Sequence, residues 1–186
     1  INFPLVLLNL IKEIKKFKPN IVHTWMYHSD LIGGLAAKLS GVKKIIWSVR
    51  ACEMDLGKIK FTTLIIRKIC SFLSKFIPNI ILFNSKTSIK LHCKLGYSNS
   101  NLIYIPNGFD LDKFKPDLIK RNIFRKRNNI SKNELVIGMI ARYDPLKNNI
   151  GALAVLNNLK QRSFDCKMVF VGKNMDNSNS NFKKFI

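Results

Sequence analysis

An arginine and a lysine stand five positions apart in the stretch MIARYDPLKNN, Met139 to Asn149. The stretch continues the apolar run ELVIGMI, so Arg142 is expected at the end of a strand and Lys147 at the start of a helix. Two cations on such a loop are suited to holding an anion, since N–H groups at a helix start also favour negative charge. An ordinary turn around Asp144 and Pro145 is the alternative.

Polar, aromatic and basic residues also follow the other predicted strands. In open α/β sheets, ligands bind at the carboxyl ends of the strands. These residues suit a sugar, through stacking and hydroxyl hydrogen bonds, and a phosphate, through basic groups. Simpler alternatives remain for three of them: His23 as a core histidine, Trp25 as a packing residue and Arg50 as a surface charge. The candidates for a substrate cleft are His23, Trp25, His28, Arg50, Asn84, Ser85, Asn107, Gly108 and Gly172.

Apolar runs and capped helical patterns alternate along the chain. Strands are predicted in NIVHTW, KKIIWSV, NIILFN, NLIYIPNG, ELVIGMI and KMVFV, with helices between them. Ser29 or Asp30 is predicted to cap the helix after the first strand, and Ser85 the helix after the third. This alternation predicts an α/β fold with parallel sheets. We place one domain at residues 1–106, a polar interdomain segment at 107–133 and a second domain at 134–186.

A longer amphipathic helix is predicted from about Lys58 to Phe76. Its apolar residues are expected to form the inner stripe that packs on the core. The basic residues beside the stripe are then a solvated face, which is the favoured interpretation. The alternative is that the helix lies on anionic lipid. The stripe consists of Phe61, Leu64, Ile65, Ile69, Phe72, Leu73 and Phe76, and the basic residues are Lys58, Lys60, Arg67, Lys68 and Lys75.

The chain of 186 residues is strongly basic, with 32 Lys and Arg against 11 Asp and Glu and a net charge of +21. Such a charge is typical of proteins that bind nucleic acid, anionic lipid or phosphate-bearing ligands. The basic residues are spread over the whole length, however, and Lys, Asn and Ile are all abundant, so a compositional bias accounts for most of the charge. Because no basic-aromatic RNA-binding signature is present, specific nucleic-acid binding is not expected.

Several other classes of protein lack support in the sequence. The 4 cysteines include no CxxC pair, so no zinc site is expected. No GxGxxG or GxxxxGKS/T motif occurs, which argues against the usual dinucleotide and P-loop sites. No apolar run is long enough to span a membrane and no signal peptide is present, so a cytoplasmic location is expected. Because the first residue is Ile1, we interpret the chain as a central piece of a longer protein.

Four stretches occur in fixed order, namely VHTWMYHSDLIGGLAAKLSGVKKIIWSVR, NIILFNS, YIPNGFDLDKFKP and IGMIARYDPLKN. Together they resemble the family-4 glycosyltransferases of GT-B fold. The third resembles the interdomain segment of that family, and the fourth the start of its donor-binding domain. The resemblance covers about Val22 to Gly172. The first stretch is similar to a bacterial branch that works in cell-surface polysaccharide assembly.

This resemblance implies a retaining transferase that takes a sugar from a nucleotide diphosphate-sugar, without a metal or other cofactor. Two Rossmann-like domains are expected to face each other across a cleft, with the acceptor side first and the donor side second. Residues at the positions of Arg142 and Lys147 bind the donor diphosphate in such enzymes. The acceptor is expected to be a surface polysaccharide or a lipid-linked sugar, and peripheral contact with the inner face of an anionic membrane is compatible with it.

The chain also departs from the family pattern. Many relatives carry a histidine close to the donor sugar at the position of Trp25, and here either His28 or His23 is expected to take that catalytic place. A glycine often follows the lysine, whereas this chain has Asn148. The acidic residues that contact the sugar and ribose in the family fall beyond the last residue, so this chain by itself is expected to be inactive.

Overall fold

The protein is built of alternating helices and parallel strands. The computed structural model describes residues 3–51, 59–176 and 178–183. A short 3-10 helix spans Pro145–Lys147. In chain order the elements are α1 (Phe3–Phe17), β1 (Ile21–Trp25), α2 (Met26–Leu39), β2 (Lys44–Val49), α3 (Phe61–Leu73), β3 (Ile80–Phe83), α4 (Lys86–Lys94), β4 (Leu102–Tyr104), α5 (Leu118–Arg127), β5 (Leu135–Ile140), α6 (Asn149–Gln161), β6 (Cys166–Val171) and α7 (Ser180–Lys183).

Two parallel sheets define two compact units. The first unit, Ile1–Asp110, holds a four-stranded sheet in the order β1-β2-β3-β4, and the second, Leu111–Ile186, holds β5 paired with β6. All the pairings are parallel, so the predicted α/β class with parallel sheets is confirmed. The predicted domain bounds of 1–106, 107–133 and 134–186 stay a prediction.

The core of the first unit lies along its two central strands. Trp47 on β2 and Ile81 and Phe83 on β3 are completely or almost completely buried. Such near-continuous apolar strands are expected where helices cover both faces of a sheet. Gly34 allows α2 to approach the sheet closely, because a Cβ there would lie 2.5 Å from Nε1 of Trp47. The glycine pair of α2 therefore serves packing.

The predicted cap of α2 is wrong. The helix begins at Met26, directly after β1, and Met26 itself has a φ of 70°. Asp30 instead lies within the helix, fully buried, where its carboxylate accepts a 2.6 Å hydrogen bond from the hydroxyl of Thr24. Polar residues near a predicted helix start suggest caps, but here tertiary contact with β1 uses the carboxylate.

The predicted orientation of α3 is also wrong. The helix begins at Phe61, and Lys58 lies outside the described residues. Five residues of the expected inner stripe are exposed, while Leu64 and Leu73 are half-buried. Its buried residues are Arg67, Cys70 and Ser71. The exposed stripe residues are Phe61, Ile65, Ile69, Phe72 and Phe76.

The second unit has a smaller apolar centre. Leu153 of α6 and Met175 pack with Tyr143 and Phe170. The helix predicted from Lys147 is divided in two, because Asn148 adopts a left-handed conformation with a φ of 53° between the 3-10 helix and α6. The Asn148 side chain accepts a hydrogen bond from the Gly151 N–H and so caps α6.

Within the described residues, none of the helices combines the length and the apolar character that crossing a bilayer requires.

Candidate functional site

The strand register of the first unit brings the predicted cleft residues to one edge of the sheet. Trp25 pairs with Ser48, and Val49 pairs with Phe83, which in turn pairs with Tyr104. The carboxyl ends of the four strands therefore lie side by side. Trp25 ends β1 and Arg50 directly follows β2. Since all the strands run parallel, side chains that follow their ends share this edge.

His23, Trp25 and Arg50 form a stack on the surface of the first unit. The rings of His23 and Trp25 lie 4.9 Å apart and nearly parallel. The guanidinium carbon of Arg50 lies 4.4 Å from the centre of the Trp25 ring, on its face, where a cation is attracted to the π-electrons. All three side chains are exposed, so the alternatives of a core histidine and a packing tryptophan are both wrong. Burial and then the charge of Arg50 lower the pKa of His23, which favours its neutral form.

His28 and His23 line the same cavity. The cavity has a volume of about 440 Å³, which is within the usual range for a small-ligand site. Trp25 and Ser29 add polar and aromatic groups, and its remaining walls come from α1, β1 and α2. Met26, with its positive φ, turns the chain from β1 into α2 and so helps to place His28 beside the strand. Both histidine candidates are therefore available to one bound molecule.

Asn84 and Asn107 meet beyond the ends of β3 and β4. The side-chain amide of Asn84 donates a 3.3 Å hydrogen bond to the side-chain oxygen of Asn107. Ser85 caps α4 as predicted, because its hydroxyl accepts from the N–H of Ser88. Gly108 is exposed beside this pair in sequence. The two asparagines thus connect the β3 and β4 ends of the edge.

A buried hydrogen-bond network, which sequence reasoning missed, lies beneath this edge. Nε2 of His92 lies 2.8 Å from the Tyr27 hydroxyl, and Nδ1 lies 2.7 Å from the carbonyl oxygen of Ser88. A carbonyl only accepts, so Nδ1 carries the proton and Nε2 accepts from Tyr27. Burial lowers the pKa of His92, in keeping with a neutral ring. The Ser88 hydroxyl then donates to the carbonyl of Ala51, next to Arg50.

The network has a signal in the sequence, although a weak one. Ser88 and His92 are four positions apart in the helical stretch SKTSIKLHCKLG, so they share one helix face. Nothing in that spacing indicates that the face is buried. In the structure both side chains are fully buried, and they join α4 to the chain that leaves β2. The network therefore positions Arg50 rather than contacting solvent itself.

Asp30 is a second buried group at this edge. Burial raises its pKa to about 7, against the hydrogen bonds from Thr24 and from the backbone N–H of Ser48. The other carboxylate oxygen, Oδ2, is buried without a hydrogen-bond partner among the described residues. A neutral carboxyl group is therefore favoured below neutral pH. Asp30 joins α2 to the carboxyl ends of β1 and β2, which carry Trp25 and Arg50.

The loop after β5 carries the predicted phosphate clamp of the second unit. Nε and Nη2 of Arg142 lie 2.9 and 2.7 Å from the same carboxylate oxygen of Asp144. The other oxygen of Asp144 accepts a 2.9 Å hydrogen bond from the N–H of Leu146. This N–H and the guanidinium of Arg142 lower the pKa of Asp144, which is therefore ionised at neutral pH. Asp144 thus holds the guanidinium of Arg142 in an ion pair, and the pair lies just before the 3-10 helix and α6.

The loop is further held by Asn149. Its buried side chain accepts a hydrogen bond from the backbone N–H of Asp144. Arg142 and Lys147 are both exposed, and Lys147 ends the 3-10 helix. Asp144 engages Nε and Nη2 of Arg142, so most of the five guanidinium N–H donors remain for another acceptor. A cleft of about 260 Å³ adjoins Asp144 and Asn149, although Arg142 and Lys147 do not line it.

Gly172 has a structural reason to be glycine. Its φ is 155°, and a Cβ there would lie 2.0 Å from the carbonyl oxygen of Ala141 and 3.0 Å from the nitrogen of Arg142. The chain after β6 therefore passes directly against Ala141, the residue before Arg142. Gly172 shapes the backbone on which Arg142 is placed.

Comparisons with known proteins agree with this architecture. Residues 1–113 match Glycosyltransferase Family 4. Over 142 residues the chain is 30% identical to the UDP-Gal:alpha-D-GlcNAc-diphosphoundecaprenol alpha-1,3-galactosyltransferase of Escherichia coli, a stretch that covers 76% of this chain and 37% of that enzyme.

Solved structures show the same GT-B fold. Anabaena Alr3699/HepE in complex with UDP aligns with a TM-score of 0.73 at 14% identity, over 91% of this chain and 52% of its own. A glycosyltransferase from Rickettsia africae ESF-5 aligns with a TM-score of 0.70 at 21% identity, over 97% and 46%. The chain thus spans about half the length of these structures. The resemblance seen in the four motifs is confirmed, and the chain belongs to glycosyltransferase family 4.

Proposed function

We propose that the protein is a retaining glycosyltransferase that moves a sugar from a nucleotide diphosphate-sugar to a surface polysaccharide or lipid-linked acceptor. The name of the Escherichia coli relative gives UDP-Gal as donor and a diphosphoundecaprenol-linked sugar as acceptor. Anabaena Alr3699/HepE was solved with UDP. Family membership favours this function over a nucleic-acid-binding module, whose main support was the net charge.

The observation that carries the proposal is the loop around Arg142. A guanidinium held by Asp144 stands at the carboxyl end of β5, where ligands bind in open α/β sheets. We assign Arg142 and Lys147 to the donor diphosphate. Both cations would offset the negative charge that grows on the leaving nucleotide as the glycosidic bond breaks, and such stabilisation acts mainly in the transition state.

The first unit is assigned to the sugars. Trp25, whose ring stacks with His23 and Arg50, lines the cavity that is proposed to receive a sugar. His28 or His23 is proposed to hydrogen-bond the transferred sugar, because both line that cavity. The pKa of His23 is lowered, so its neutral ring both donates and accepts near neutral pH. Substituting each histidine singly in a protein extended to the length of the structural relatives, with turnover as the readout, distinguishes the two.

The clamp is tested by binding and by turnover. Arg142→Ala should weaken UDP binding in calorimetry about tenfold, the effect of losing one charge-assisted hydrogen bond. In a protein extended to the length of the structural relatives, turnover with labelled nucleotide-sugars should fall about a hundredfold, because the contact strengthens as the leaving group becomes charged. Lys147→Ala should behave similarly. The anomeric configuration of the product, determined by NMR, tests retention.

Arg162→Ala is the matched control. Arg162 is an exposed arginine at the opposite end of α6, so its loss changes the net charge equally without touching the loop. If Arg142→Ala and Lys147→Ala both match this control, the clamp assignment is wrong. Since the chain spans about half the length of its structural relatives, we further propose that alone it binds UDP without turning over. Binding is therefore the primary measurement.

A further inference from the structure

Much of the apolar surface of α3 faces solvent, while its inner face is mixed in character. The inner face carries Arg67, Cys70 and Ser71, followed by the buried Ser74, and Ile66 and Leu73 also pack against the core. The opposite face carries the apolar side chains that face solvent, and we call it the outer face of α3. It consists of Phe61, Ile65, Ile69, Phe72 and, three residues past the helix, Phe76.

Specific hydrogen bonds hold the helix in this orientation. The Ser71 hydroxyl donates a 2.6 Å hydrogen bond to the carbonyl of Leu95, and the Ser74 hydroxyl accepts a 2.9 Å bond from the N–H of Ser98. The Cys70 thiol lies 3.3 Å from the carbonyl oxygen of Tyr27. Rotating the outer face inwards would break all three contacts and leave polar groups buried without partners.

The outer face is large and continuous. Phe61 is 75% exposed, Phe72 63% and Phe76 60%. The rings of Phe72 and Phe76 lie 5.5 Å apart and extend the stripe past the helix end. A helical path of 15 residues from Phe61 to Phe76 would be about 22 Å long. Contiguous apolar patches of this kind mark an interaction surface on a protein.

The charge around the stripe selects the partner. Lys60, Lys68 and Lys75 are exposed on the same segment, and no acidic residue occurs between Lys60 and Phe76. An apolar face with lysines at its border matches the boundary of an anionic bilayer, where the apolar groups enter the acyl region and the lysines reach the headgroups. Two copies of this face would bring like charges together, which disfavours a symmetric dimer.

We propose that the outer face of α3 is a docking surface for an anionic lipid bilayer. The surface is separate from the cavity of His23 and His28, whose lining contains no residue of α3. Docking here would keep the protein at a membrane without using the candidate substrate sites. The inference concerns lipid binding alone and does not require sugar transfer.

Vesicle flotation of the full chain without nucleotide tests the proposal. Vesicles of equal parts phosphatidylcholine and phosphatidylglycerol should bind the protein, and vesicles of phosphatidylcholine alone should bind it far less. Raising the salt concentration should weaken the binding, because salt screens the contribution of the lysines. Equal binding to both kinds of vesicle would contradict the anionic part of the proposal.

Apolar variants locate the surface. Phe72→Ser combined with Phe76→Ser should weaken binding to the anionic vesicles about tenfold or more, since two rings that would be buried in the bilayer are lost. Phe164→Ser is the matched control, because Phe164 is 57% exposed in the second unit, and it should leave binding unchanged. Circular dichroism checks that each variant folds, and the exposed position of both rings makes unfolding unexpected. Retained binding in the double variant would overturn the proposal.

Charge variants separate this surface from the general basic character of the chain. Lys68→Glu with Lys75→Glu should weaken anionic binding strongly, whereas Lys126→Glu with Lys160→Glu changes the net charge equally at exposed sites of the second unit. Equal losses in the two pairs would show attraction by net charge alone and would refute a defined surface. Light scattering tests whether a second copy of the chain occupies this face instead. If the phenylalanine variants abolish a dimer and leave vesicle binding intact, the face is a dimer interface and the lipid proposal is wrong.

Discussion

The two units hold the candidate functional groups near their strand ends in different ways. In the first unit Asp30 and His92 are completely buried and hydrogen-bonded to Thr24 of β1 and Tyr27 of α2. In the second unit Arg142 and Lys147 are exposed, and the loop that carries them is held by the local contacts of Asp144. The geometry of the first edge therefore depends on the core, whereas that of the second depends on caps.

The two units also differ in the size of their apolar cores. Four strands surround Trp47, Ile81 and Phe83 in the first unit, whereas the apolar centre of the second is the small cluster around Leu153 and Met175. Local stability follows the density of buried apolar contacts. The predicted phosphate-binding loop lies on the less densely packed unit and is expected to adjust to a ligand, whereas the edge of the first unit is expected to present a preformed surface.

The largest expected effect compares the two cores. Ile81→Ala removes three carbon atoms from a fully buried site and should lower the free energy of unfolding by about 4 kcal/mol. Leu153→Ala, at a site that is 7% exposed, should cost about 2 kcal/mol, because a sparse cluster collapses more easily. Both tryptophans belong to the first unit, so tryptophan fluorescence during urea unfolding reports that unit, while circular dichroism reports both. Equal losses of unfolding free energy in the two variants would contradict the proposed difference between the two cores.

The next effect depends on the buried carboxyl group of Asp30. Its pKa is raised from 3.8 to about 7 in the folded protein, so the native state binds this proton more tightly than the unfolded chain does. Its contribution to stability is complete below about pH 4 and is lost as the pH rises to about 7. The Asp30→Asn variant should lack this pH dependence. As the pH rises from about 4 to about 7, the stability of the variant relative to the parent protein should therefore rise by on the order of 2–4 kcal/mol.

Denaturant titrations of both proteins at several pH values measure that difference. Burial lowers the pKa of His92, so protonating this ring destabilises the fold as the pH falls below about 6.5. That effect has the opposite sign, but it is present in both proteins and cancels in the comparison. Thr24→Val removes the hydroxyl that donates to Asp30 and should raise the pKa of this carboxyl group further. The pH range over which its proton stabilises the fold should then extend to higher pH. A pH-independent difference between Asp30→Asn and the parent would show that the carboxylate is ionised throughout.

The smallest effect concerns the backbone beneath the clamp. Gly172→Ala should destabilise the second unit by about 1–3 kcal/mol, because its Cβ would overlap the carbonyl oxygen of Ala141. It should also weaken UDP binding, since Arg142 follows Ala141 directly. Gly138→Ala in β5 is the control, because a Cβ there meets nothing within 4 Å. Thermal unfolding and calorimetry compare the two, and identical behaviour would mean that the close approach does not position the loop.

Much of the fold was predictable because its signals are local. The apolar runs and the helices between them indicated parallel sheets, and Ser85 was correctly predicted as a cap. The start of α2 was not predictable in the same way. Asp30 has the residue type of a cap, but its carboxylate contacts Thr24 across the β1–α2 packing. A contact between two elements leaves no periodic trace in either of them.

The candidate site was predictable to a similar degree. Strand ends indicated His23, Trp25, His28 and Arg50, and the structure places them around one cavity and one stack. Whether they and the clamp residues bind substrate stays a prediction. The buried partners beneath them, with His92 foremost, were missed. The sequence of a helical stretch does not show whether a histidine ring on it faces solvent or the core.

By itself, the sequence determined the alternation of strands and helices, the order of the family motifs and the strand-end position of Arg142, because each depends on neighbouring residues. Only the tertiary structure decided which side of α3 faces inwards. Periodicity identifies an apolar stripe and does not say what lies against it. Here the hydrogen bonds of Ser71 and Ser74 to the chain after α4 turn the polar side inwards, and the apolar stripe is left at the surface.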